Sequence, residues 1–224
     1  MKLSIIVPMR NEAAQLDALL PALQHLQRQG HEVILVDGGS TDGCDHLAAD
    51  AGLTVLHALR GRARQMNVGA QHASGEALLF LHADTTLPEN GCAEVQRVLA
   101  QPGQLWGRFN VCISGQHSVL RLVGLLMNLR SRITGIATGD QALFMTRQAF
   151  TQVGGFPDQP LMEDIEISAR LRRIDWPVCL KSCVRTSGRR WESRGVWRTI
   201  VLMWRLRWQY WRGVSAQQLA QAYQ

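Results

Sequence analysis

Two carboxylates stand where apolar runs of the chain end, and each could take part in binding a ligand. Asp37 follows the run 33–36 and precedes two glycines, which permit a tight turn and a close approach of a ligand to the backbone. Its carboxylate could accept hydrogen bonds from a base or a ribose, although an Asp that only caps its own turn explains the same pattern. Asp84 follows the run 77–81 and His82. It could hold a divalent cation whose other ligands are diphosphate oxygens and water, or cap a helix, and His82 could be a second ligand or orient the site.

A second acidic pair, Glu163 and Asp164, stands at the start of a helix predicted over residues 163–173. Acids in a first helical turn are ordinarily explained by the helix dipole, which is worth about 0.3–1 kcal/mol each. Adjacent carboxylates point in different directions, however, so one could face a site while the other caps the helix. A carboxylate that reaches an acceptor hydroxyl could act as a general base, worth about 10²–10⁴-fold in rate.

Three arginines within five residues, Arg60, Arg62 and Arg64, flank the start of a helix predicted over residues 62–73. Guanidinium groups suit phosphate oxygens because their donors match the oxygen geometry. A solvated helix face is the alternative explanation for any one of them.

The elements that must position these side chains alternate between strand and helix. Strands are predicted at 3–8, 33–36, 54–56 and 77–81, with helical patterns between them, followed by strands at 107–113, 142–145 and 178–184 and helices at 117–132 and 163–173. The alternation predicts an α/β fold, with a mainly parallel central sheet and helices on both faces. Ligands of such sheets bind at the carboxyl ends of the strands, where Asp37 and Asp84 fall.

Composition favours one globular domain without disulfides or membrane spans. The chain has 224 residues, 46% hydrophobic and 19% charged, and a core of that size needs no covalent staples. The five cysteines are odd in number and scattered, and residues 1–4 open directly into a strand without a signal-peptide pattern. We therefore expect free thiols and a soluble protein in the reducing cytoplasm.

The C-terminal tail carries the basic charge of the chain. From Lys181 onward nine basic residues face one acid, whereas the whole chain has a formal charge of +6. Five of the seven tryptophans lie between Trp191 and Trp211, and several form one stripe of a helical wheel. Peripheral contact with an anionic membrane surface, a homodimer contact and complete burial all explain such a helix.

Five motifs occur in an order typical of one enzyme family and span most of the chain. They are Ser4-Ile5-Ile6-Val7-Pro8-x-x-Asn11-Glu12, Val36-Asp37-Gly38-Gly39-Ser40-Thr41-Asp42, Leu79-Phe80-Leu81-His82-Ala83-Asp84, Gly154-Gly155-Phe156 and Glu163-Asp164. With these motifs the chain resembles the family 2 glycosyltransferases. The resemblance implies a GT-A type nucleotide-diphospho-sugar transferase fold and inverting transfer of a sugar from a nucleotide-diphosphate sugar donor to an acceptor hydroxyl.

The resemblance also implies roles for individual residues. Asp84, with His82 as a candidate second ligand, would bind Mg²⁺ or Mn²⁺, and Asp164 would be the catalytic base. Asp37 would hold the nucleobase or ribose. The other residues expected to bind substrate are Pro8, Glu12, Arg62, Arg64, Asp140, Gln141, Glu163, Arg190 and Trp191.

Three departures from the family pattern narrow these expectations. Gly38 replaces a commonly acidic residue, which weakens the case for uridine as the base of the donor nucleotide. His82 replaces the first acid of the D-x-D motif. Ser187 replaces the Gln of the Q-x-x-R-W motif, so processive synthesis is not expected. The runs Gly61–Asn67 and Gly139–Ala142 resemble a compact bacterial subgroup, some members of which are linked to arsenosugar biosynthesis.

The predicted organisation is a glycosyltransferase domain over residues 1–190 and a basic Trp-rich helical tail over 191–224. Residues 1–110 would bind the nucleotide and 111–190 the acceptor. Two other classes fit less well. A sugar-nucleotide pyrophosphorylase would need a glycine-rich loop where Met9-Arg10-Asn11-Glu12 stands. A non-catalytic protein that binds nucleic acid or membrane through the tail would not need the ordered acids, so no nucleic-acid partner is expected.

Overall fold

The computed structural model describes residues 1–223, apart from the side chains of Arg190 and Arg194. The strands are β1 (Leu3–Met9), β2 (Glu32–Asp37), β3 (Thr54–His57), β4 (Ala77–Phe80), β5 (Thr85–Thr86), β6 (Trp106–Ser114), β7 (Leu143–Thr146) and β8 (Val178–Ser187). The helices are α1 (Ala13–Arg28), α2 (Cys44–Asp50), α3 (Arg62–His72), α4 (Gly91–Leu99), α5 (Val119–Thr134), α6 (Arg147–Gln152), α7 (Glu163–Leu171), α8 (Arg189–Arg194), α9 (Val196–Trp211) and α10 (Ala216–Tyr223), and a 3-10 turn spans Gly139–Gln141.

The strands form one mixed sheet in the order β3-β2-β1-β4-β7-β6-β8-β5. The first four strands are parallel, as βαβ crossovers require, and β6 pairs with β8 in parallel. Three pairings, β4 with β7, β6 with β7 and β5 with β8, are antiparallel within residues 1–223. The predicted α/β fold with a mainly parallel sheet is confirmed, and the antiparallel pairings are an addition to it.

Helices cover both faces of the sheet because successive strand residues point to opposite sides. On one face Ile5 of β1 belongs to a core cluster that also contains Leu16 of α1 and Val123 of α5. On the other face Ile6 belongs to a cluster with Met66 of α3 and Ile167 of α7, among others. The nearly continuous apolar sequence of β1 therefore follows from burial on both sides.

The C-terminal helices pack onto the domain next to the start of α7. Leu206 of α9 and Leu219 of α10 are buried and form a third cluster with Met162. None of the helices in the described range 1–223 has the length and apolar character needed to span a bilayer.

The cysteines correct one expectation from the sequence. Cys112 of β6 and Cys183 of β8 form a disulfide with a Cα–Cα distance of 5.9 Å, because these strands pair side by side. Cys44, Cys92 and Cys179 are free thiols. The expectation that all five thiols are free is wrong, and the cytoplasmic location, which depended partly on it, stays a prediction.

Candidate active site

A cleft of about 390 Å³ lies beyond the carboxyl ends of β1, β4 and β8. Asp84 and Asp164, which are eighty residues apart in the sequence, both line it, as do Asp140 and Glu163. A smaller cavity of about 170 Å³ extends along the end of β1. It shares with the cleft Arg10, Arg62, Gln65, His82 and Asp84. The fold therefore gathers the acids of separate motifs at one edge of the sheet.

Asp84 is fixed in the turn between β4 and β5. The hydroxyl of Thr85 donates to Asp84 Oδ1 at 3.2 Å, and the backbone N–H of Ser187 donates to the Asp84 carbonyl at 3.2 Å. Thr85 is in turn paired with Thr186 of β8. The carboxylate is thus placed in the cleft by strand pairing and by its own backbone.

Glu12 lies opposite Asp84 in the smaller cavity. Its Oε2 is buried without a hydrogen-bond partner among the described residues, and Arg189 Nη2 forms an ion pair with it at 3.5 Å. Burial and the nearby charge of Asp84 raise the pKa of Glu12, although Arg189 and Arg62 oppose the rise. Two carboxylates that repel each other in one cavity favour a bound cation.

The donor set at this place fits a hard divalent cation held mainly by its ligand. No group of three His, Cys, Asp or Glu side chains in the described part of the chain is arranged to hold a metal alone. Mg²⁺ commonly uses one or two carboxylates plus substrate phosphates and water. Asp84, with the carboxylate of Glu12 in the same cavity, supplies that number of protein ligands.

The two ring nitrogens of His82 face Asp140 and Gly139. Its Nδ1 lies 3.2 Å from Asp140 Oδ1, and its Nε2 is buried without a hydrogen-bond partner in the described structure. Nε2 lies against Gly139, where an added Cβ would clash with the ring. Both ring nitrogens are therefore occupied or enclosed, and the side chain is placed to orient Asp140. Burial would raise the pKa of Asp140, but the bond from His82 and the charge of Arg62 lower it.

Asp164 is held by two backbone N–H groups at the start of α7. Gly139 N donates to Oδ2 at 2.8 Å, and Ile165 N donates to Oδ1 at 2.8 Å. Each carboxylate oxygen keeps a second lone pair that can accept a proton from a ligand. Met162, with φ of 66°, turns the chain into this helix in the left-handed region, a strained conformation typical of functional sites.

Glu163 occupies the adjacent, more enclosed position. Its side chain is buried and its Oε1 lies 4.0 Å from Arg62 Nη1. Burial, and then the charge of Asp164, raise the pKa of Glu163, although Arg62 lowers it. The two acids of the pair therefore face different surroundings, as their adjacent positions on a helix predict.

The predicted arginines divide between the cleft and its outer surface. Arg62 lines both cavities, and Arg60 and Arg10 line the larger one. Arg64 instead points away and forms a bidentate ion pair with Asp158, with Nε–Oδ1 at 2.7 Å and Nη2–Oδ2 at 2.9 Å. The structure thus corrects the expectation for Arg64, because its donors already have a partner outside the cleft.

Two further residues that we expected to bind substrate, Gln141 and Asp37, are buried in the protein and do not line the cleft. Gln141 is completely buried, and its Oε1 accepts from the backbone N–H of Thr138 at 3.2 Å, which caps the 3-10 turn. This corrects the expectation that Gln141 contacts substrate. Asp37 is buried beside the cleft and does not line it. Burial would raise the pKa of Asp37, but hydrogen bonds from Ser40 and Gly39 lower it.

Pro8 and Trp191, which we expected to bind substrate, both line the site. Pro8 lines the smaller cavity together with Glu12. Trp191 lines the cleft and packs against the core cluster of β1. The prediction for Arg190 lies outside the described residues.

The tail contributes residues that the sequence did not assign to the site. Thr199, Met203 and Arg207 of α9 and Tyr223 of α10 line the cleft. Burial lowers the pKa of Arg207, while Asp164 and Asp140 raise it. The first three recur every four residues, which is helical spacing, but the sequence alone does not show which face of α9 meets the domain.

Comparison with known proteins identifies the family of the chain. The family model "Glycosyl transferase family 2" matches residues 4–145. The chain is 24% identical over 227 residues to beta-monoglucosyldiacylglycerol synthase of Nostoc sp., covering 87% of this chain and 47% of the relative. The chain thus spans about half the length of that curated relative.

Two solved structures show the same fold. S. aureus TarS has a TM-score of 0.68 at 19% identity, covering 84% of this chain and 61% of that one. The mannosyltransferase PcManGT of Pyrobaculum calidifontis, solved with GDP-Man and Mn²⁺, has a TM-score of 0.64 at 22% identity, covering 82% of this chain and 56% of that one. The chain belongs to glycosyl transferase family 2 and has the GT-A fold.

Proposed function

We propose that this chain is an inverting glycosyltransferase that moves a sugar from a nucleotide-diphosphate sugar to an acceptor hydroxyl, with a divalent metal. The observation that carries the proposal is that Asp84 and Asp164 line one cleft together with Arg10, Arg60 and Arg62. Acids and arginines of this kind can hold a cation and a diphosphate on one side of a sugar and a base on the other. PcManGT, solved with GDP-Man and Mn²⁺, supports a donor and metal of this type.

On the donor side, Asp84 and Glu12 would hold Mg²⁺ or Mn²⁺. When bound, the cation would supply charge neutralisation for the leaving nucleoside diphosphate. Arg62, which lies between the two cavities, and Arg10 are placed to contribute positive charge to the same phosphates. His82 acts by orienting Asp140, and Pro8 lines the nucleotide end of the site. The carboxylate of Asp37 already accepts hydrogen bonds from the backbone N–H groups of Gly39 and Ser40. To hold the base or ribose as well, it would have to accept a hydrogen bond from the ligand beside these two.

On the acceptor side, Asp164 accepts the proton of the attacking hydroxyl. As the new bond from the acceptor oxygen to the anomeric carbon forms, the bond to the phosphate oxygen breaks, and its electron pair leaves with the nucleoside diphosphate. The N–H groups of Gly139 and Ile165 fix the base, so that little reorganisation is needed during transfer. Attack on the face opposite the leaving group inverts the anomeric centre.

The acceptor half of the proposal rests on residues 111–190 and the tail. Trp191 and the cleft-lining face of α9 enclose the place where an acceptor would lie. Arsenosugar, other small-molecule glycoside and lipid glycoside synthesis are the acceptor contexts we propose from the family resemblance. The division into residues 1–110 for the nucleotide and 111–190 for the acceptor is part of the same proposal.

The experiment that tests the proposal compares Asp164→Asn with the wild type and with Asp158→Asn. Turnover of UDP-, GDP- and dTDP-sugars is measured with Mn²⁺, by release of the nucleoside diphosphate. The control variant changes an acid that pairs with Arg64 outside the cleft. We expect Asp164→Asn to lose about 10²-fold or more in rate and Asp158→Asn to keep its rate. Equal turnover in all three proteins would refute the base assignment.

A further inference from the structure

Helix α9 exposes a continuous apolar stripe on the side opposite the cleft. Trp197, Val201, Trp204, Trp208 and Trp211 are between 55% and 82% exposed. Their spacing of three or four residues places them on one helical face. The opposite face is occupied, since Leu206 is buried and Thr199 lines the cleft. Burial within the domain, one of the explanations for the tail, therefore accounts for only one side of this helix.

Helix α5 exposes a second stripe that the sequence analysis did not identify. Leu122, Leu125, Leu126, Leu129 and Ile133 are between 47% and 68% exposed. The stripe continues past the end of the helix, because Trp176, which is 52% exposed, lies against Gly135 at its carboxyl end. Residues at these positions are ordinarily polar in a helix that meets only water.

Helices α5 and α9 lie near each other, since the charge of Arg207 on α9 acts on Arg130 of α5. Leu120 and Val123 of α5 and Val196 of α9 belong to one buried cluster, and Ile200 packs against it. Soluble monomers rarely expose apolar surface on this scale without a partner. The structure therefore presents two neighbouring helices whose outer faces are apolar and exposed.

The charges beside the two apolar stripes indicate which kind of partner covers them. Helices α5 and α9 contain no acidic residue, whereas Arg121, Arg132, Arg198 and Arg205 are exposed on them. Arg212, just beyond α9, lies over the ring of Trp208 at 4.9 Å. A second copy of this surface would bring the arginines of the two helices against each other, with no acid on either helix to pair with them. Tryptophan and arginine together suit the interface of an anionic bilayer, where rings sit at the headgroup level and cations meet lipid phosphates.

We propose that α5 and α9 form one docking surface for an anionic lipid bilayer. The leucines and tryptophans enter the boundary between headgroups and acyl chains, and the arginines contact the phosphates. The surface holds the protein in the interface plane, without a span, as amphipathic helices do. This proposal is independent of the transferase reaction, because it uses no residue of the cleft.

The test is co-sedimentation of the full chain with vesicles. One set contains phosphatidylcholine alone, and the other contains phosphatidylcholine and phosphatidylglycerol in equal amounts. The variants are Trp204→Ser/Trp208→Ser on α9, Leu125→Ser/Leu129→Ser on α5 and Arg198→Gln/Arg205→Gln. The control is Leu59→Ser, which removes an apolar side chain that is 74% exposed elsewhere. Circular dichroism verifies that each variant is folded.

We expect both the wild type and the Leu59→Ser control to bind the vesicles that contain phosphatidylglycerol. Each paired variant should bind at least about tenfold more weakly. For the arginine pair this follows because each cation near an anionic surface contributes about fivefold to binding. Failure of the wild type to bind these vesicles, or binding that the Trp and Leu pairs leave unchanged, would overturn the proposal. Dimerisation in analytical ultracentrifugation that the Trp pair abolishes, without vesicle binding, would assign the surface to a second copy instead.

Discussion

Arg130 of α5 offers a stability test of the charges around the site. Its Nε and Nη2 atoms are buried without a hydrogen-bond partner among the described residues. Burial and the positive charge of Arg207 lower the pKa of Arg130 to about 9, although the negative charge of Asp164 raises it. A guanidinium that is charged but poorly compensated destabilises the folded state. We therefore expect Arg130→Met to be more stable than the wild type at neutral pH.

The magnitude follows from the pKa. The fall of the pKa of Arg130 from its ordinary value to about 9 corresponds to at most about 5 kcal/mol, at about 1.4 kcal/mol for each pKa unit. Local rearrangement and water reduce this cost, so we expect a gain of about 1–3 kcal/mol. The folded pKa lies below the unfolded one, so the cost is fully present below about pH 9 and decreases as the pH rises above it. The gain should therefore be smaller at about pH 10 than at about pH 7, by up to about 1 kcal/mol.

Urea unfolding at about pH 7 and about pH 10 measures both effects. Arg132→Met is the matched control, because Arg132 lies on the same helix, is exposed, and its Nη2 donates to Asn110 at 3.2 Å. The control should show no gain at either pH. An Arg130→Met protein that is less stable than the wild type, or a gain that does not change with pH, would refute the reasoning.

Two further perturbations probe the support of the site and of the sheet. Gly139→Ala places a Cβ against Nε2 of His82. We expect this substitution to displace His82 and Asp140 and to lower turnover, measured as nucleoside diphosphate release, about tenfold or more. Unchanged turnover would contradict the role of His82. Reduction of Cys112–Cys183, which closes a separation of 71 residues, should lower the free energy of unfolding by about 2–5 kcal/mol. Urea unfolding with and without a thiol reductant checks this, and Cys112→Ser/Cys183→Ser should show no response to the reductant.

The strands and the acids at their ends were predictable because local patterns determine them. The runs before Asp37 and Asp84 are apolar without interruption, and parallel strands bring their carboxyl ends to one edge. Helix α4 was not predicted, since it has only nine residues and its buried positions, such as Val95 and Leu99, make a short pattern. Strand β5 has two residues and exists only through its pairing with β8.

The corrections concern partners that are distant in the sequence. Arg64 was assigned to phosphate, but its partner Asp158 lies 94 residues away. Cys112 and Cys183 meet because β6 and β8 are neighbours in the sheet, and the spacing of the cysteines does not reveal this pairing. The contribution of Arg207 to the cleft depends on how α9 docks beside Met162. Tertiary contacts of this kind override what a local pattern indicates.

In the proposed mechanism Asp84 binds the metal that holds the diphosphate, and Asp164 accepts the proton of the acceptor hydroxyl. Calorimetric titration of UDP and GDP into the wild type, Asp84→Asn and Asp164→Asn, each with and without Mn²⁺, tests it most directly. We predict that Mn²⁺ strengthens nucleotide binding in the wild type and in Asp164→Asn, and that Asp84→Asn loses this strengthening. Metal-dependent binding that survives in Asp84→Asn, or that disappears in Asp164→Asn, would contradict the account.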